Sequence, residues 1–174
     1  MWENDVSNLT IELREEKSQA IAGLPYLSLY VERNINVAVQ LKFIRETLTL
    51  GGDRFTQMPN VHSCLIGLVE HRSNVFWVLD LPQLLGFESL DSTTVEKHIA
   101  VLQIADMFLG LAVYSVSRVL RFTETDIVSP LVLPNTKAAL QTVPFLKGCV
   151  MAPDGNNSIY VLDAEAIANF NFAI

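Results

Sequence analysis

Gly67-Leu68-Val69-Glu70-His71-Arg72-Ser73-Asn74-Val75-Phe76-Trp77-Val78-Leu79-Asp80-Leu81, followed by Pro82-Gln83-Leu84-Leu85-Gly86, is the stretch from which the rest of the chain can be read. Two apolar segments flank a polar corner, Glu70-His71-Arg72-Ser73-Asn74, that crowds three ionisable groups together. The stretch therefore predicts a β-hairpin with a solvated tip. Val75 to Leu79 is an unbroken apolar and aromatic run, as expected of a strand covered on both sides. Asp80 ends it. Its carboxylate suits the N-cap of one or two helical turns, with Pro82 in the permissive first turn and Gly86 as the stop.

Outward from this stretch the same plan recurs. Upstream, Leu27, Leu29 and Val31 alternate with Ser28, Tyr30 and Glu32, and past the corner Arg33-Asn34 the residues Val37, Val39 and Leu41 alternate with Ala38, Gln40 and Lys42. Period two predicts a hairpin with one buried face. Downstream, Val101 to Ala105 and Leu109 to Val113 predict a second hairpin, and Ile159 to Leu162 a short strand that ends at Asp163 before a helical turn through Ala164 to Ala168. Gly67 leads through a polar turn to Val78-Leu79-Asp80, and Gly148 leads through Asp154-Gly155-Asn156-Asn157 to Val161-Leu162-Asp163. This order of elements, occurring twice, predicts two similar β subdomains at about 25–90 and 98–170, joined by the polar connector Glu88 to Lys97. Residues 1–24 read as an arm or short amphipathic helix, with Leu9, Leu13 and Ile21 opposite Glu12, Glu15, Glu16 and Lys17.

The chain has 174 residues, 50% hydrophobic and 18% charged, with a formal charge of −7. A chain of this size buries enough surface to fold without disulfides or a structural metal. Its acidity opposes binding to nucleic acid or anionic lipid, both of which attract surplus Lys and Arg. Cys64 and Cys149 fall in no metal or redox spacing, which fits a reducing cytoplasm. Met1-Trp2-Glu3-Asn4-Asp5 does not read as a signal peptide, and no apolar run reaches the ~20 residues of a membrane-spanning helix. The mean hydropathy of +0.31 is high for so acidic a chain. It predicts either a dense core or apolar surface kept for a partner.

No sequence signature of catalysis is present: the chain lacks GxSxG, GxxxxGK[ST], HExxH and GxGxxG. His62-Ser63-Cys64 places a base and a thiol on one face of an extended segment, but nothing nearby would orient the base, so a structural role is expected. His62, His71 and His98 are scattered, and Asp80 and Asp163 are explained as helix caps, so neither a metal nor another cofactor is expected. Gly51-Gly52-Asp53 reads as a turn. At the hairpin tip Arg72 has the greatest capacity for recognition, because its planar fork can hold a carboxylate or stack on an aromatic ring.

The Gly67–Leu81 motif closed by Leu84-Leu85-Gly86 resembles the hallmark of the CheW-like family, Gly-Val-Ile-Asn-Leu-Arg-Gly-x-Val-Ile-Pro-Val-Ile-Asp-Leu with a terminal Leu-Gly. Met58-Pro59-Asn60-Val61 before Leu65-Ile66-Gly67 is similar to the approach to that motif. Leu109 to Leu120 is similar to the family's Gly-Leu-x-Val-Asp-x-Val-x-x-Val-Leu, and Phe145-Leu146-Lys147-Gly148 with Val161-Leu162-Asp163 to its closing segment. The resemblance runs in order over about residues 25–170. The departures are these: the family's Asn-Leu-Arg-Gly is Glu70-His71-Arg72-Ser73, which keeps only the Arg and gives the turn Gly a side chain; its Pro is Trp77; and its Asp is Tyr114.

The resemblance implies a mostly β fold of two intertwined five-stranded SH3-like β-barrels and no enzymatic activity. It implies an adaptor that bridges methyl-accepting receptor tips, docked between the subdomains, to the regulatory domain of a CheA-type histidine kinase. It also implies a cytoplasmic location at membrane-associated receptor arrays, and protein contacts through Glu70, His71, Arg72 and Ser73. Divergent members of this kind serve type IV pilus motility or phototaxis, as in cyanobacteria. Two further readings stand beside this one. The altered turn suggests a stand-alone CheW-like protein that binds another regulator, such as a response regulator. An enzyme or small-ligand binder would instead use a cleft between the barrels, with His62, Cys64 or His71 as reactive groups.

Overall fold

The structure, a computed structural model, describes residues 22–129, 141–152 and 154–173. The arm expected over 1–24 lies outside the described residues as far as residue 21. Ten strands follow in chain order: β1 (Leu24–Glu32), β2 (Ile35–Gln40), β3 (Ile44–Gly51), β4 (Leu65–His71), β5 (Asn74–Asp80), β6 (Glu96–Ile104), β7 (Met107–Val113), β8 (Ser115–Phe122), β9 (Leu146–Met151) and β10 (Ser158–Leu162). Helical turns α1 (Leu81–Leu84) and α2 (Ala164–Ala168) follow β5 and β10. Both start as the sequence implies: Asp80 Oδ1 accepts from the Gln83 amide at 2.9 Å, and Asp163 Oδ1 from the Ala166 amide at 3.0 Å. Gly86, at φ +86°, ends α1 in the left-handed conformation that glycine adopts without strain.

The strands form two five-stranded sheets, ordered β8-β1-β2-β10-β9 and β3-β6-β7-β5-β4. If β1–β5 and β6–β10 are the two repeats, each sheet takes the first two strands of one repeat and the last three of the other. The sequential division at 25–90 and 98–170 therefore does not follow the sheets. The 3₁₀ turn Leu41–Phe43 carries the chain away from β2 instead of folding it back, and β3 pairs with β6 of the other repeat. One sheet is thus the continuous stretch from Ile44 to Val113, and the other is built from the flanking segments. The repeats also join at two parallel pairs, β2–β10 and β5–β7. β6 begins inside the polar connector expected over 88–97, because Glu96 and Lys97 pair with Gly51 and Leu50.

Each sheet curls into a barrel through a short bridge, at the same place in both repeats. Thr56, just after β3, exchanges backbone hydrogen bonds of 2.8 and 2.9 Å with Leu68 on β4. Val128, just after β8, does the same with Cys149 on β9, at 2.8 and 3.1 Å. The preceding residue is glycine each time. A Cβ on Gly67 would lie 2.7 Å from the Thr56 carbonyl oxygen, and one on Gly148 would lie 2.6 Å from that of Val128. The paired glycines of the sequence repeat mark where the barrels close.

Three apolar layers result. Leu50, Val69, Phe76, Val78, Ile99 and Val101 fill the β3–β7 barrel. Tyr26, Ala38, Phe122, Val150, Ile159 and Val161 fill the other, where the Tyr26 and Phe122 rings stack with centroids 3.9 Å apart. The largest layer lies between the barrels and includes Leu29, Val31, Val39, Leu79, Leu81, Leu102, Leu111 and Ile167. Because β1 and β2 contribute to two layers, both of their faces are covered, where alternation had implied one: Tyr26, Ser28 and Ala38 are buried together with Leu27, Leu29 and Val37. β5 departs in the opposite sense. Phe76, Val78 and Leu79 are buried, but Val75 is 64% exposed and Trp77 only half-buried, because the layer between the barrels thins at that end of the strand.

Candidate functional site

The β4–β5 turn holds the residues singled out for binding. His71 pairs with Asn74, leaving Arg72 and Ser73 as the two turn residues, at φ +48° and +64°. Such a turn matches the twist of a hairpin but favours Gly or Asn, so each of these side chains sits in a conformation that costs about 1–2 kcal/mol. Local contacts hold it. The Asn74 side-chain amide donates to the Arg72 carbonyl at 3.2 Å, and an Arg54 guanidinium nitrogen donates to the Glu70 carbonyl at 3.1 Å. Arg72 Nη1 and His71 Nε2 both lie 3.4 Å from the same oxygen, Glu46 Oε2 on β3. Glu46 is a partner that sequence reading did not find. Its only signal is long-range, since barrel closure brings β3 round to the tip of β4.

The structure separates the four candidates by what they present. The Arg72 side chain is 75% exposed, so its guanidinium keeps donors for a second carboxylate while Glu46 holds one side of it. Glu70 and Ser73 are exposed as well. His71 is turned inward: its Nε2 is shielded from solvent and has no hydrogen bond among the described residues, only the Glu46 contact. Beside the tip opens a groove of about 460 Å³, lined by Leu68, Asn74, Val75, Phe76 and Trp77 of the first repeat and by Asp106, Met107, Phe108, Leu109, Ala168 and Phe172 of the second. Val75 and Met107 are exposed within it, at 64% and 43%. A largely apolar trough of this kind is suited to an amphipathic segment that lays its apolar face into it.

His62 and Cys64, weighed as reactive groups, do meet. His62 Nδ1 lies 3.1 Å from Cys64 Sγ, in a cavity of about 560 Å³ bounded also by Gln83, Leu84, Phe87, Phe145 and Phe170. His71 is not with them, because it ends β4 while they precede it. The pair is not built for nucleophilic attack. Burial, and secondarily the Asp80 carboxylate, push the Cys64 thiol up to about 12. The thiolate that attack requires is therefore scarce at neutral pH. The edges of Phe170 and Phe172 flank the His62 ring, with centroids 5.5 and 6.2 Å away, and neither can orient a base by accepting a proton. Asp80 is nearly buried and spends both oxygens on the backbone, Oδ1 on Gln83 and Oδ2 on the Leu90 amide at 2.7 Å. Among the described residues no three His, Cys, Asp or Glu side chains converge as a metal site would require, and no helix is long and apolar enough to cross a membrane.

Comparison with known proteins follows this geometry. A family model described as the CheW-like domain matches residues 25–171. The crystal structure of the scaffolding protein TtCheW from Thermoanaerobacter tengcongensis is similar in fold, with a TM-score of 0.71 at 16% identity, covering 86% of this chain and 95% of that one. None of the curated proteins compared matches the chain.

Proposed function

The chain belongs to the CheW-like family, and from that premise we propose that it is a non-catalytic adaptor coupling methyl-accepting receptors to a CheA-type histidine kinase, in a taxis or pilus-motility pathway. The observation that carries the reading is the groove at the seam of the two repeats, where Val75 and Met107 are exposed beside half-buried Trp77. A receptor signalling tip is an amphipathic helical element, and a preformed groove takes such a segment at little ordering cost. The kinase regulatory domain would take a different exposed apolar surface on the barrels. Apposition of two partners requires no bond chemistry, in keeping with a Cys64 that stays protonated. Such an adaptor would work in the cytoplasm, beside membrane-associated arrays.

The test is a pull-down of the full chain against the cognate kinase's C-terminal region and against a receptor signalling tip. Binding to both is expected, with Met107→Asp weakening the receptor arm. Binding to neither overturns the reading. The turn itself favours one alternative: Ser73, at φ +64°, presents a side chain where the family motif has glycine. A stand-alone protein that binds a response regulator would retain that partner when both receptor and kinase fail to bind.

A further inference from the structure

The β6–β7 turn borders a second recess besides the groove, and its chemistry is different. It measures about 380 Å³ and is lined by Lys42, Ile44, Arg45, Gln103 and Ala105, all within the continuously described stretch 22–129. Lys42 and Arg45 are exposed, and among the described residues neither is paired with a carboxylate. In a chain with 19 acidic residues against 12 basic ones, two cations that share a recess with no acid make a local reversal of charge, which attracts an acidic partner.

The surrounding structure holds both cations in place. Arg45 is the extra residue of a β-bulge: Ile44 pairs with Leu102 and Glu46 with Val101, so Arg45 has no partner across the ladder. A bulge re-aims the side chain it carries. Glu46 turns its carboxylate to His71 and Arg72, whereas Arg45 Nη1 donates to Gln103 Oε1 at 3.4 Å. Gln103 Nε2 in turn donates to the Ala105 carbonyl at 3.3 Å. Lys42 extends over the Phe43 ring, with Nζ 4.8 Å from its centroid, a contact that favours the ammonium ion. Arg45 spends one donor on Gln103, and its remaining donors can hold both oxygens of a carboxylate. Side chains braced in this way lose less freedom on binding.

The place of the recess identifies the partner. Ile104 pairs with Met107, so the β6–β7 turn consists of Ala105 and Asp106. Ala105 lines the recess, whereas Asp106 and Met107 line the apolar groove. A segment that leaves the groove across this turn passes from Asp106, which repels a carboxylate, to Lys42 and Arg45, which attract one. Resting on the reading of the groove as the dock of a receptor tip, we propose that Lys42 and Arg45, the latter braced by Gln103, bind the side-chain carboxylate of an acidic residue on that tip. The groove takes the apolar face of the tip and the recess takes its acidic flank.

Calorimetric titration of the receptor signalling tip into the full chain tests this. Arg45→Glu and Lys42→Glu are compared with Arg118→Glu, which changes net charge equally at an exposed position on β8 of the other barrel. Each recess variant is expected to weaken binding about tenfold or more, and Arg118→Glu by less than about twofold, because a like charge set against the docked carboxylate opposes the contact. Added salt is expected to weaken wild-type binding more than Arg45→Glu binding. When the acidic residues of the tip are changed to amides one at a time, one of the amides is expected to bind the wild type and Arg45→Glu alike. Should Arg45→Glu fold poorly by circular dichroism, Lys42→Glu, outside the strands, carries the same expectation. A tip that binds the wild type and the recess variants equally overturns the proposal and leaves the adaptor reading standing. So does an Arg118→Glu loss as large as theirs, which would make the effect one of net charge. A tip that fails to bind the wild type overturns both.

Discussion

Replacing Gly67 by alanine puts a methyl carbon 2.7 Å from the Thr56 carbonyl oxygen and 3.0 Å from its carbonyl carbon. Both neighbours are backbone, so no side chain can rotate away. The Thr56 segment has to move, and it carries the pair of hydrogen bonds, 2.8 and 2.9 Å, that closes the barrel against Leu68. Overpacking of this kind costs about 1–3 kcal/mol. Each stretched hydrogen bond adds ~0.5–1.5 kcal/mol, and the lower chain entropy of unfolded alanine returns ~0.4–1 kcal/mol. The net loss is about 3 kcal/mol, a drop of roughly 1.5 M in urea midpoint at the slope usual for small proteins. Gly148→Ala should lose a similar amount, with its Cβ 2.5 Å from Ile127 Cγ2 and 2.6 Å from the Val128 carbonyl oxygen. Gly52→Ala is the control, since nothing lies within 4 Å of its Cβ position. Urea unfolding followed by circular dichroism measures all three. A Gly67→Ala protein as stable as the Gly52→Ala control would refute the closure argument.

Three further outcomes follow from the site. Arg72→Ala should change the unfolding free energy by under about 1 kcal/mol, as befits an exposed pair, yet weaken binding of the receptor tip by ~1–3 kcal/mol; calorimetry on both counts checks it, and unchanged affinity removes Arg72 from the interface. Burial raises the Asp80 carboxyl above its ordinary value against the opposing Gln83 and Leu90 hydrogen bonds. The folded state therefore holds this proton more tightly than the unfolded state, and the group's contribution to stability grows as pH falls towards the ordinary carboxylate range and is lost as pH rises through the raised value. The stability of the wild type relative to Asp80→Asn should accordingly improve from pH 7 to pH 4 in paired urea titrations, and a difference independent of pH would contradict this. Cys64, buried and protonated, should resist maleimide in the native protein while half-buried Cys149 reacts, as read by peptide mass; rapid labelling of both would show that the cavity opens.

Local features were legible in the sequence and long-range pairings were not. The hairpins, the Asp80 and Asp163 caps and the Gly86 stop depend on residues a few positions apart, and they formed within a residue or two of where the pattern placed them, the second hairpin turning at Ala105-Asp106 with Met107 already in β7. The repeat was visible too, because Gly67 and Gly148 serve the same closure. The exchange of strands between repeats was not visible in the alternation. Strand β3, with every second residue half-buried, would read the same whether it paired with β2 or β6. The same limit hid the site's surroundings. The sequence brought out Arg72 and its neighbours, but Glu46 and Phe172 reach the tip and the groove only through the closed barrels. It also overstated the cover on Val75, whose apolar run does not record that the layer between the barrels ends there.

Because β3 to β7 are contiguous from Ile44 to Val113, that barrel has all its strands as soon as this stretch has left the ribosome. The other cannot close until β10 has been made. Until then the β1–β2 hairpin waits with Leu29, Val31 and Val39 unburied, except against the layer the finished barrel already offers. Synthesis thus imposes an order, with one half of the scaffold becoming the template on which the other is completed. A translational pause between Val113 and Ser158 would leave a half-built chaperone client, whereas a pause before Ile44 would leave only a hairpin.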